Sequence, residues 1–287
     1  MSSAAYWTER VRRYGHTGWS DAATYWYDQR LRLKAIEATV LAPLPAMQPS
    51  ALDFGCGVGD FSALLSRRFR AVIGYDVSAD VLERARELNP VPNVNYTSQL
   101  DAALGRPHDL ILSITVLQHV VRDEDLQTLL ARFAQQLAPG GCLAVMETFG
   151  ATESHSGYLR RRTLARLLEL CADAGLVPTA QHDFYHPSEC PTPTYRRYRI
   201  RWSVRLLGRL AAMKVPAAEG LLRRLAQRHA DTDSGYLDNA ASPTKILLFA
   251  RRNVGWASAH ASGATHGTAW AEAHPTGGGT GGSEDRP

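Results

Sequence analysis

Short apolar runs alternate with longer helix-period stretches through the middle of the chain. Ala51-Leu52 leads into Asp53, and Ala71-Val72-Ile73-Gly74-Tyr75 ends at Asp76. With these two near 50–54 and 71–75, strands are expected near 93–97, 108–113, 141–147, 177–183 and 244–251. Between them, stretches near 59–68, 78–89, 123–138 and 158–174 carry apolar residues every three or four positions, the spacing of one buried helix face. The stretch 98–106 has room only for a reduced helix. Pro139-Gly140-Gly141 predicts a break between helix and strand, and Gly175 suits a left-handed cap. The alternation predicts an α/β fold, with a seven-stranded, mostly parallel sheet covered by helices on both faces.

The flanks follow other patterns. Residues 1–48 form an N-terminal extension in which Tyr14-Gly15-His16-Thr17-Gly18-Trp19 mixes turn formers with aromatics. A helix is expected from Arg30 to Leu41, stopped by Pro43 and Pro45. Residues 49–184 are the core and 241–252 its last strand. Between them, 185–240 is an insertion with a proline-rich entry, His186 to Thr194. There Arg201, Arg205 and Arg209 recur every four residues beside a stripe of Trp202, Leu206 and Leu210, which is amphipathic helix spacing. Residues 253–287 turn to small residues and glycine and are expected to be disordered. His260, His266 and His274 lie there without ligand-like spacing.

Charge changes this picture in one place. The 287-residue chain has a net charge of +4, yet Arg196–His229 holds ten Lys/Arg against Glu219 alone. That segment carries +9 and leaves −5 to the remainder, so the positive charge belongs to one module and nucleic acid is not the expected partner. No apolar run reaches the length of a membrane span, and Met1 to Glu9 lacks the apolar core of a signal peptide. Cys56, Cys142, Cys171 and Cys190 show no paired spacing, which suits apolar fillers in a reducing cytoplasm and gives no metal site.

The chemistry is concentrated in Asp53-Phe54-Gly55-Cys56-Gly57-Val58-Gly59-Asp60. Three glycines at alternate positions after a strand allow unusual dihedrals and close backbone approach to a ligand. A dinucleotide fingerprint starting at Gly55 requires glycine where the chain has Asp60. The stretch resembles the first motif of class I S-adenosylmethionine-dependent methyltransferases, acid-x-Gly-x-Gly-x-Gly, and Asp76 matches their ribose-binding acid. Pro107 to Val120 resembles that family's fourth strand and the loop bordering the transferred methyl. Leu137 to Val145 resembles the connection into its fifth strand. The resemblance covers about 200 residues and implies a Rossmann-like sheet, S-adenosyl-L-methionine as cofactor, and an antiparallel last strand. It implies cofactor contacts from Asp53, Gly55, Cys56, Gly57, Gly59, Asp76, Val77 and Ser113. The family often binds adenine by an acid after the third strand. This chain has Thr97-Ser98-Gln99-Leu100-Asp101, leaving Ser98 or Gln99 for that contact.

The resemblance further implies methyl transfer by direct displacement to oxygen, nitrogen or carbon of a small specialised metabolite, anionic or hydrophobic. Alignment alone supplies much of such a rate, so no base motif is required. His119, after the fourth strand, is the candidate catalytic base or else a loop brace. Glu147, ending the fifth strand, is another candidate brace. Tyr14, Trp19, His155, Tyr158 and Arg201 are candidate substrate contacts. The extension either closes as a lid or simply packs on the core. The basic insertion is an anion-binding wall, a peripheral membrane contact, or a solvated helical cover. A lipid or isoprenoid-quinone methyltransferase, a non-catalytic cofactor binder and a nicotinamide oxidoreductase remain as alternatives, the last weakened by Asp60.

Overall fold

The computed structural model describes residues 3–215, 217–237 and 239–252. The expectation of a disordered tail from 253 lies outside them. The chain opens with α1 (Ser3–Tyr14) and α2 (Ala22–Ile36), the latter capped by the Asp21 carboxylate and continued by a π-turn over Glu37–Leu41. The core then runs β1 (Gln48–Phe54), α3 (Asp60–Leu65), β2 (Phe69–Tyr75), α4 (Ala79–Leu88), β3 (Val94–Thr97), α5 (Leu100–Ala103), β4 (His108–Ile114), α6 (Asp123–Gln136) and β5 (Leu137–Thr148). A hairpin of β6 (Ser154–Ser156) and β7 (Leu159–Arg161) precedes α7 (Leu164–Asp173) and β8 (Leu176–Phe184). Then come α8 (Pro193–Ile200), α9 (Trp202–Ala212), α10 (Ala218–Asp231) and β9 (Thr244–Arg251).

Seven strands pair in the order β3-β2-β1-β4-β5-β9-β8, with β9 antiparallel to both neighbours and the remaining pairings parallel. Strand order reverses between β1 and β4, where Phe54 pairs with Ser113; such a switch point opens a crevice at the strand ends. Successive strand residues point to opposite faces. Ala51, Leu110, Leu112, Ala144 and Met146 meet α2, α3 and α8–α10, while Leu52, Phe54, Ile111, Leu143 and Val145 meet α6 and α7.

Three local expectations are corrected. Pro139-Gly140-Gly141 lies inside β5 as a bulge, since the register against β4 jumps from His108–Leu137 to Leu110–Cys142. The expected helix from 158 begins only at Leu164, because residues 154–161 pair as a hairpin. In α9 the core takes Val204, Leu207 and Ala211, leaving Trp202 and Leu206 exposed and Leu210 only half-buried. Two apolar stripes share that helix, and the charge pattern points to the wrong one.

The extension and the insertion share one layer and belong to the same compact unit as the sheet. Tyr27 of α2 is fully buried among Tyr185, Tyr195 and Tyr198, and its hydroxyl donates to Asp233 Oδ2 at 2.7 Å. Thr192 donates to the same oxygen, and Lys34 donates to the carbonyls of Ala230 and Asp233. Leu222 is fully buried in this layer. Leu222→Ala should cost about 2–5 kcal/mol in urea unfolding, against about 0.5 kcal/mol or less for Leu206→Ala. Equal losses would show that the packed stripe is misidentified.

Candidate functional site

The strand ends around the switch point carry buried acids, each held by donors from nearby loops or helix starts. Asp53, next to last in β1, accepts from Ser62 Oγ at 2.6 Å; burial lifts its pKa to about 7. Asp76 follows β2 and accepts from the Gly57 N–H at 3.2 Å and the Ser78 N–H at 3.0 Å. Burial lifts its pKa to about 6, with both backbone donors opposing the shift. Glu147 near the end of β5 accepts from the Leu117 N–H at 2.7 Å, bracing the loop after β4; burial lifts it to about 8. Its Oε2 is buried without a partner, as is Ser113 Oγ on β4.

Gly55, Gly57 and Gly59 have φ of +77°, +52° and +86°, which L side chains rarely adopt. A Cβ on Gly57 would stand 2.6 Å from Thr17 Oγ1 of the N-terminal segment, so that segment lies directly over the turn. Val11 of α1 packs on Val58 and Val81, and Thr8 Oγ1 meets Ser78 Oγ at 2.9 Å. Arg10 pins the loop below through the carbonyls of Thr17 and Gly18. His16 is buried against the Tyr25 ring, and burial drops its pKa to about 3, so it is neutral.

A second cluster forms where α2 crosses the loop after β4. The Asp28 carboxylate is 3% exposed and accepts from Arg32 Nε at 2.7 Å and Trp19 Nε1 at 2.8 Å through the same oxygen. Arg32 also donates to Thr115 Oγ1 at 3.2 Å, and Thr115 holds the positive φ of +55°. Tyr185, just after β8, lies beside Asp28 and Arg32; its hydroxyl and Asp28 Oδ1 are buried and neither makes a well-formed hydrogen bond. His186 packs its ring against Trp19, and burial lowers its pKa. An acid, a guanidinium, a phenol and an imidazole thus converge at the sheet's C-terminal edge.

His119 sits on the short helical turn Leu117–His119. Its Nδ1 donates to the Tyr158 carbonyl at 3.0 Å, which leaves Nε2 as an acceptor, and burial keeps the ring neutral by lowering its pKa. The edge contact with Trp7 and the stack of Tyr158 on Tyr6 tie this turn to α1.

Trp19 joins the second cluster, whereas Tyr14 lies under the guanidinium groups of Arg10 and Arg13 at the end of α1. His155 is exposed on the β6–β7 hairpin and Arg201 is exposed at the start of α9, so neither is brought to the strand ends. Gln99 donates its N–H to Thr97 Oγ1, and the Thr97 carbonyl accepts from the Asp76 N–H, which sets Ser98 and Gln99 beside Asp76. Val77 is exposed next to it and Cys56 is buried in the turn. Asp28, Arg32, Thr115, Tyr185 and His186 did not emerge from the sequence. The available signal was the single acid of this helix, with a base four residues on, directly after the aromatic run Tyr25-Trp26-Tyr27.

In sequence the chain is similar to known methyltransferases. A methyltransferase-domain family matches residues 51–141. The chain is 36% identical over 148 residues to trans-aconitate 2-methyltransferase of Methylobacterium nodulans, covering 49% of this chain and 54% of that protein. To the protein of the same name from Azoarcus sp. it is 34% identical over 174 residues, covering 58% and 68%. To dTDP-3-amino-3,4,6-trideoxy-alpha-D-glucopyranose N,N-dimethyltransferase of Streptomyces venezuelae it is 29% identical over 160 residues, covering 52% and 68%. The matches span about half the length of the first of these relatives. In fold, the chain is similar to the crystal structure of the [4+2]-cyclase SpnF, with a TM-score of 0.52 and 20% identity over 79% of this chain and 82% of that one.

The buried acids generate a pH prediction. Unfolded carboxyls ionise near pH 4, whereas Asp76, Asp53 and Glu147 do so only near 6, 7 and 8 in the fold. The folded state therefore binds more protons in that window, and each group removes stability as pH rises through it. Glu147→Gln keeps an oxygen for the Leu117 N–H and should flatten the fall in urea midpoint between about pH 5 and pH 8.5. An unchanged slope would mean that Glu147 is ionised in the fold at neutral pH.

Proposed function

The chain belongs to the class I S-adenosylmethionine-dependent methyltransferase superfamily, and we propose on that footing that it methylates oxygen, nitrogen or carbon of a small polar acceptor. The residues fit the cofactor. The Gly57 turn has the positive φ that lets backbone approach a ligand closely, Asp76 presents a buried carboxylate suited to ribose hydroxyls, and Ser113 Oγ is buried without a partner. When bound, S-adenosylmethionine supplies a methyl group already activated by its sulfonium.

The observation that carries the acceptor half is the buried Asp28–Arg32 pair, tied through Thr115 to the loop after β4. Arg32 orients an oxygen-bearing acceptor, and Asp28 Oδ1 with the Tyr185 hydroxyl holds its O–H or N–H. Where the acceptor has a proton to lose, Asp28 Oδ1 is the site we favour over His119, whose ring is tied to Trp7 and the hairpin. The N-terminal segment over Gly57 excludes water from both halves, which strengthens every polar contact between them. The named relatives act on trans-aconitate and on a dTDP-linked amino sugar, both in keeping with a small polar acceptor.

Titration calorimetry with S-adenosylhomocysteine tests the cofactor half. Asp76→Ala should weaken binding roughly tenfold or more in a variant that still unfolds cooperatively, since one charge-assisted hydrogen bond is worth about 1.5–3 kcal/mol. In the parent, affinity should decline as pH drops below about 6, where Asp76 takes up a proton. Unaltered affinity in the variant would remove this assignment. For the acceptor half, a panel of hydroxy, carboxy and amino compounds with labelled cofactor should give turnover. Asp28→Asn and Arg32→Met should lower it by roughly 10²-fold or more while S-adenosylhomocysteine affinity stays within about threefold. Parental single-turnover rates in Asp28→Asn, with a loss in His119→Gln, would return the proton to His119.

A further inference from the structure

The end of α8, all of α9 and the start of α10 present large apolar side chains to solvent. Ile200, Trp202 and Met213 are 74%, 76% and 74% exposed, and Leu206, Val215 and Leu221 are exposed beside them in sequence. On α9, Trp202, Leu206, Arg209 and Met213 recur at three- or four-residue spacing and so share one side of the helix. Val204, Leu207 and Ala211 on another side are packed into the core, so this ridge is left over after the fold is satisfied. Isolated exposed apolar residues are ordinary on protein surfaces; this many within one short segment are not.

The cations on the same segment are also uncommitted. Arg201, Arg205, Arg209 and Lys214 are exposed, and among the described residues none of the four forms an ion pair within the chain. Other arginines do find acids within the chain, as in Arg12–Asp80, Arg132–Asp101 and the Arg160, Arg162 and Arg166 cluster on Asp123. Glu219 is the lone acid between Arg196 and His229.

We propose that this ridge docks the protein on an anionic lipid surface, with Trp202, Leu206 and Met213 entering the headgroup region and Arg205, Arg209 and Lys214 on lipid phosphates. The combination decides the partner. A nucleic acid would use the arginines but gain little from exposed Ile200, Leu206 and Met213. A second copy of the chain in a two-fold contact would set this cationic segment against itself. An anionic bilayer complements both the charge and the apolar side chains, and each cation near its surface adds roughly fivefold to binding.

A groove supports the orientation. It encloses about 670 Å³ between the N-terminal segment and α8, lined by Trp19, Thr24, Tyr195, Arg196, Arg199 and Ile200 among others. Ile200 lines the groove and is exposed two residues before Trp202, so docking through Trp202 brings the groove's edge near the lipid surface. Trp19, at the other side of the groove, donates to Asp28. The docking itself does not depend on the acceptor chemistry proposed above.

Co-sedimentation of the full chain with vesicles tests it, using phosphatidylcholine alone or with about 30% phosphatidylglycerol, at low salt and at roughly 0.5 M. Binding is expected to the mixed vesicles only and to fall steeply with salt. Arg205→Glu with Arg209→Glu should reduce it by about 20-fold or more, and Trp202→Ser with Met213→Ser by about tenfold. All four side chains are exposed, so melting temperature and S-adenosylhomocysteine affinity should match the parent. Absence of binding to the mixed vesicles overturns the proposal. So does binding that the variants and salt leave unchanged. Binding of a generic RNA, or a dimer dissociated by Trp202→Ser, with no vesicle binding, overturns it in favour of that other occupant.

Discussion

The site depends on a desolvation problem at the sheet's C-terminal edge. Asp53, Asp76 and Glu147 sit where the chain leaves β1, β2 and β5, and each is buried. A carboxylate there is tolerable only if donors face it, and neighbouring segments supply them: Ser62 of α3 for Asp53, Gly57 and Ser78 for Asp76, and Leu117 of the loop after β4 for Glu147. The raised pKa of each shows that these donors offset the burial only in part. The shape of the glycine turn follows, because the Gly57 N–H reaches Asp76 only in a conformation that glycine supports. Acids left partly unsatisfied are also the groups best prepared to accept hydrogen bonds from a ligand.

The helix α2 extends the same logic to the other side of the crevice. It brings one more buried acid, Asp28, and satisfies one of its oxygens with Arg32 one turn later and with the Trp19 indole. Its neighbour Tyr27 faces the insertion and closes a hydrogen bond with Asp233. Adjacent residues of one helix therefore tie the roof to the site and to the inserted helices. An extension and an insertion that look like separate modules in sequence become one layer in space.

The legible parts of the sequence were those whose cause is local. Alternate glycines after a strand, an acid ending the next strand and a helix-strand period each announce themselves within ten residues, and the sheet and its glycine turn were recovered from them. The Asp28–Arg32–Tyr185–His186 cluster was not, because its members are neighbours only after α2 and β8 have packed on the same sheet. The stripe of α9 failed for a related reason: charge spacing marks the solvent side of a helix, yet Trp202 and Leu206 lie on that side too. Pro139-Gly140-Gly141 was a true irregularity assigned to the wrong element, since a bulge and a helix break use the same residues.

The tie between Tyr27 and Asp233 spans 206 residues of chain, which has a consequence for how the protein is made. A ribosome adding about 5–20 residues per second needs roughly 10–40 s to deliver Asp233 after Tyr27 has emerged. For about the first three quarters of that interval the aromatic face of α2 has none of Tyr185, Tyr195 and Tyr198 to cover it. Its Asp28–Arg32 pair and cap at Asp21 can form at once, since both are local. The nascent chain thus carries an early helix with an exposed greasy side, in need of a holding factor or of rapid docking onto the emerging sheet. Long-range contacts of this kind slow folding, and β9 enters the sheet between β5 and β8 only after both have been synthesised.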